Sequence, residues 1–96
     1  MKVYQINYDL RKQRNYEELY KKIKAYGTWR RPLKSCWLIV SEKTAAQIRD
    51  DLSQVMDNDD GLLVTRLNSE AAWRKLDDDK DKVTTDWLKK YIGNAS

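Results

Sequence analysis

Asp9, at the carboxyl end of the first extended run, is a candidate for carboxylate chemistry. The sequence has no histidine and one cysteine. Ser-His-Asp and Cys-His nucleophilic chemistry, an imidazole base and an ordinary zinc site are therefore excluded. What remains is carboxylate or lysine chemistry. Asp9 closes the run Lys2-Val-Tyr-Gln-Ile-Asn-Tyr8 and shares one strand face with Gln5 and Asn7. Three cations follow it, Arg11, Lys12 and Arg14, and three more, Arg30, Arg31 and Lys34, stand just before Ser35. Six cations gathered near one edge suit phosphate contacts, with Tyr and Trp available to stack on bases. The plainer alternatives are that Asp9 opens a turn and that the cations form a solvated face.

The charge is unevenly spread. Lys2 to Lys34 holds ten basic and three acidic side chains, a difference of +7, whereas Glu42 to Asp60 holds two basic and six acidic, a difference of −4. The acidic set Asp57, Asp59 and Asp60 lacks the ligand spacing and terminal glutamate of an EF-hand, and reads as a turn before Gly61. Lys21, Lys22 and Lys24 read as the wet side of a helix. Cys36, inside an apolar run, reads as a small buried hydrophobe.

The elements that would position these residues are legible from periodicity. Tyr4, Ile6 and Tyr8 alternate with polar residues, which predicts a strand. Asn15 is a candidate N-cap, and Tyr16, Leu19, Tyr20, Ile23 and Tyr26 form a helical stripe that Gly27 stops. Thr28 to Arg31 and Lys34 to Val40 predict a short hairpin, in which Pro32 can occupy a turn but not a central ladder position. Ser41 to Thr44 can cap a second helix carrying Ala45, Ile48, Leu52 and Val55, and Leu62 to Leu67 has the apolar density of a buried strand. Trp29, Trp37, Tyr4, Tyr8 and Tyr20 are expected mainly in the core, Trp29 being the one to watch.

Strand, helix, strand, strand, helix, strand predicts an α+β, ferredoxin-like domain over residues 1–67. It would have a four-stranded antiparallel sheet with two helices on one face. Residues 68–96 are expected to be a helical extension, weakly helical over Glu70 to Leu76 and amphipathic over Thr84 to Ile92, packed on the same domain or on a dimer partner. A chain of 96 residues accommodates one core of this kind. No signal-peptide or membrane-spanning pattern is visible, so cytoplasmic residence without membrane contact is expected.

The strand ending at Asp9, the helix ending Tyr26-Gly27, the stretch Arg31-Pro-Leu-Lys-Ser35-Cys-Trp37, the second helix and Leu62 to Leu67 together resemble the small CRISPR-associated adaptation subunit Cas-two, whose superfamily includes the VapD-type toxin ribonucleases. Within the stretch corresponding to the family's Arg-x-Gln-x-Ser-Val-Phe, Arg31 and Ser35 match, while Leu33 stands in place of the glutamine.

The resemblance implies a homodimer formed through open sheet faces, with Asp9 of the two protomers holding Mg²⁺ and Ser35 orienting water or phosphate. A metal so held would polarise a phosphodiester and acidify a bound water, the hydrolytic route open to a chain without histidine. Three readings stay open. One is a metal-dependent nuclease acting on RNA or DNA, one is a non-catalytic nucleic-acid-binding or adaptor dimer, with a second protein subunit as a candidate partner, and one is a protein-interaction module.

Overall fold

The computed structural model describes residues 2–11, 16–67, 70–77, 79–92 and 94–95. Its first part runs β1 (Lys2–Asp9), α1 (Glu17–Lys24), β2 (Trp29–Leu33), β3 (Cys36–Ser41), α2 (Ala45–Ser53) and β4 (Gly61–Leu67). The four strands form one sheet in the order β2-β3-β1-β4, with every neighbouring pair antiparallel. Beyond it lie β5 (Glu70–Ala71), a 3₁₀ turn (Lys80–Lys82), α3 (Val83–Tyr91) and β6 (Asn94–Ala95), with β5 and β6 paired in parallel. The molecule is a small α+β protein with a four-stranded antiparallel sheet and three α-helices. Among the described residues, no helix is long and apolar enough to cross a membrane.

Alternation along the strands divides the core in two. Tyr4, Ile6, Tyr8, Trp37 and Ile39 point to one sheet face and pack against Leu19 and Ile23 of α1 and Ile48 and Leu52 of α2. Each fully buried aliphatic side chain of this kind contributes about 1.5–3 kcal/mol relative to exposure. The opposite face is covered in its upper half by the tail, where Leu88 and Ile92 sit on Val3, Leu38 and Val40, flanked by Trp73 and Leu76.

Local chemistry explains the helix ends. Thr44 Oγ1 accepts from the Gln47 backbone N–H at 3.1 Å, and Gln47 Oε1 accepts from the Thr44 N–H at 2.9 Å, a complete capping box. Gly27, at φ +93°, takes the left-handed conformation that follows α1. At the front of α1 the N-cap is Tyr16, without a side-chain cap bond, and Asn15 lies outside the described residues.

Three sequence expectations need correction. Pro32 is not in the hairpin turn but inside β2, an edge strand whose pairing with β3 shifts register between Arg30 and Leu33. An irregular edge tolerates a residue with no N–H to give, and the Pro32 carbonyl accepts the Asp77 N–H of the tail at 2.8 Å. β4 is not a fully buried strand. It is the other edge, and its Leu63 is 62% exposed. Glu70 to Leu76 is not helical, because it opens with the short strand β5 and continues as bends.

Candidate functional site

The strand registers bring the candidate residues to one end of the sheet. Asp9, last in β1, faces Gly61 across the β1–β4 ladder. On the other side the Tyr8 N–H donates to the Ser35 carbonyl at 3.3 Å, placing the Lys34–Ser35 turn beside the end of β1. The tail covers the far half of this sheet face and leaves the half around Asp9 open. The Asp9 side chain is 75% exposed, and Leu63, across from Asn7 on the same face, is exposed as well. Gln5 Nε2 donates to Asn7 Oδ1 at 2.9 Å, so the polar row leading to Asp9 is ordered.

Among the described residues, Arg11 is the cation paired with Asp9. Its Nε donates to Asp9 Oδ2 at 3.4 Å, its Nη1 to the Asp59 carbonyl at 3.0 Å, and its backbone N–H to Asp60 Oδ1 at 3.1 Å. It therefore ties the end of β1 to the turn before β4. In that turn, Asp57, Asp59 and Asp60 each bring a carboxylate oxygen within 4.8 Å of the others. Asp60 also accepts the Asp57 N–H at 2.9 Å. Bonds of this type shape a polar turn and account for the cluster.

Mg²⁺ takes hard oxygen ligands in a near-octahedral set and usually keeps several waters. The Asp9 carboxylate has the right donor chemistry and is accessible. One protomer contributes a single carboxylate at that position, so the donor set fits a divalent ion when a second copy supplies another. Ser35 is exposed in the turn at the same sheet end.

The cations separate by face. Arg31 lies on the helix side, its guanidinium 4.7 Å from the Tyr20 ring centroid and 5.1 Å from that of Trp37, donating twice to the Lys34 carbonyl at 2.7 and 3.1 Å. Arg30 lies on the tail side, its Nε donating to the fully buried Thr84 Oγ1 at 2.9 Å. Lys34 is exposed in the turn. Arg11, Arg31 and Lys34 thus stand around the end of the sheet that carries Asp9, whereas Arg30 anchors α3. Lys12 and Arg14 lie outside the described residues.

Two arrangements escaped the sequence reading. Tyr8 Oη accepts the Trp37 indole N–H at 3.0 Å and donates to the Lys34 carbonyl at 3.1 Å. Burial pushes the Tyr8 phenol above its ordinary value, so it stays protonated near neutrality and serves as a clasp for the turn. Lys22, expected on a wet helix face, instead donates to Asp51 of α2 at 2.9 Å, and Asp51 also accepts the Tyr26 hydroxyl at 2.8 Å. The partners of both arrangements lie 25 or more residues apart in the chain, beyond the reach of local periodicity.

No protein-family model matches the chain, and no solved structure matches it.

Proposed function

We propose that the chain is a ferredoxin-like nucleic-acid-processing protein of the Cas-two and VapD type, acting as a homodimer and as a divalent-metal-dependent nuclease on RNA or DNA. Support for the fold reading comes from the sheet order β2-β3-β1-β4 with all pairs antiparallel. The observation that carries the functional reading is the placement of Asp9, a 75% exposed carboxylate on the open half of a sheet face, with the Arg11 guanidinium beside it. A second copy meeting this half-face through Leu63 would bring the two Asp9 carboxylates to one dyad.

In this reading Asp9 from each protomer holds the ion, which supplies Lewis-acid polarisation of a phosphodiester and acidifies water. Arg31 and Lys34 bind the nucleic-acid backbone, and Ser35 orients a phosphate or water at the same sheet end. Arg31 already lies 4.7 Å and 5.1 Å from two aromatic ring centroids and donates to the Lys34 carbonyl, so part of its side-chain freedom is lost before a phosphate is bound. The tail fixes how much of the sheet face a partner can reach.

Binding without cleavage is the second reading, and one observation favours it: Asp9 already has a guanidinium partner in Arg11. Labelled single- and double-stranded DNA and RNA, incubated with Mg²⁺ or EDTA, separate the two. Cleavage with Mg²⁺ alone is expected. Binding without cleavage would select the second reading, and neither binding nor cleavage would overturn both.

A further inference from the structure

We infer that Arg11 is an internal counter-ion seated on Asp9, which a divalent cation must displace before the carboxylate can ligate it. The inference rests on the reading of Asp9 as a metal ligand. An exposed ion pair alone holds little. Here the guanidinium has a partner other than Asp9, Nη1 donating to the Asp59 carbonyl at 3.0 Å, while the Arg11 backbone N–H on Asp60 at 3.1 Å fixes the main chain from which the side chain springs.

Gly61 provides an independent observation. Its backbone is not left-handed, so the conformation does not demand glycine. Its place is close: a Cβ at Gly61 would stand 3.1 Å from Arg11 Nη2, which would have to give by a few tenths of an ångström, and at ordinary contact, 3.5 Å, from Asp9 Cβ. The guanidinium thus lies directly against the backbone of the strand opposite Asp9, where an added methyl would nudge it.

A cation on Asp9 Oδ2 and an incoming dication compete for the same carboxylate and repel each other. Displaced, Arg11 becomes available to a phosphate. Any phosphate that draws the guanidinium away must raise the affinity of Asp9 for the metal by the same factor that metal raises affinity for phosphate. Metal loading is thereby coupled to nucleic-acid binding, with Arg11 acting as the positioning residue between them.

Mn²⁺ binding to the full chain, followed by electron paramagnetic resonance without nucleic acid, tests this directly. The comparison is wild type, Asp9→Asn, Arg11→Gln, Gly61→Ala and the charge-matched control Lys21→Gln. Asp9→Asn should abolish binding. Arg11→Gln should tighten it by roughly two- to five-fold, the range an exposed ion pair allows. Gly61→Ala should tighten it less, and Lys21→Gln should leave it unchanged. Loss in Asp9→Asn with no tightening in Arg11→Gln beyond the control would overturn the counter-ion role while leaving Asp9 a ligand. Equal binding, or none, in wild type and Asp9→Asn would overturn the ligand reading and this inference with it.

Discussion

Arg30 Nε and Thr84 Oγ1 meet at 2.9 Å across 54 residues of sequence, joining the edge strand β2 to the first turn of α3. Thr84 is completely buried, and its hydroxyl lies at the seam between sheet and tail. Replacing it with the near-isosteric valine removes the acceptor while keeping the shape. Thr84→Val should cost about 0.5–1.5 kcal/mol, the usual net contribution of one hydrogen bond, since the half-buried Arg30 keeps other interactions. Urea unfolding monitored by tryptophan fluorescence would show a lower midpoint.

The Lys22–Asp51–Tyr26 cluster links α1 to α2 and should make stability depend on pH at both extremes. Hydrogen bonds from Lys22 and Tyr26 hold the Asp51 carboxyl below its ordinary value. Its contribution is therefore present above the unfolded value, near 4, and is lost as pH falls through the lower folded one. Burial, and then the Asp51 hydrogen bond, push the Tyr26 phenol up. Its contribution is complete below about pH 10 and is lost only on going well above that. Asp51→Asn should lower stability by about 1 kcal/mol at pH 7 and flatten the acid limb. Tyr26→Phe should flatten the alkaline limb. Chemical denaturation at pH 3, 7 and 11 measures both.

Leu63 is exposed beside Asn7 and Asp9 on the half-face left open by the tail. If two copies meet there, a carboxylate at this position destroys the contact without unfolding the protomer. Leu63→Asp should be monomeric by analytical ultracentrifugation at concentrations where wild type is dimeric, with unchanged thermal stability of the monomer. A dimer unaffected by the substitution would place the interface elsewhere.

Arg31 and Lys34 stand at the Asp9 end of the sheet, whereas Arg30 is engaged by Thr84. Removing the first two charges should weaken nucleic-acid binding and reduce the slope of log affinity against log salt by about 2. Arg30→Gln should alter stability more than that slope. Fluorescence anisotropy across a salt series distinguishes the two behaviours.

The sequence revealed what periodicity and capping control. The stripe of α1 buries Leu19 and Ile23, Thr44 caps α2, Gly27 closes α1, and Cys36 is buried. It did not reveal what depends on pairing between distant residues. That Leu62 to Leu67 forms an edge follows from the strand order, and apolar density alone cannot distinguish an edge from a centre. Pro32 keeps out of a central ladder, as its missing N–H requires, but it lies in the edge strand β2 rather than in the turn, because the register shift that admits it is a property of the paired strands. At the candidate site, Asp9, Ser35, Arg31 and Lys34 were nominated by residue type. Two features were not legible: the bonds of Arg11 to Asp9 and to the turn before β4, and the diversion of Arg30 to the tail. Each depends on a contact between elements far apart in the chain.

The role of Asp9 is tested most directly by the rate of Mg²⁺-dependent cleavage of the preferred nucleic acid by wild type and by Asp9→Asn, purified identically and matched for circular dichroism and oligomeric state. The account predicts a loss of about a hundredfold or more in the variant, beyond what disturbing a metal's surroundings alone would give, with nucleic-acid binding retained. Undiminished cleavage by a folded, dimeric Asp9→Asn would contradict it.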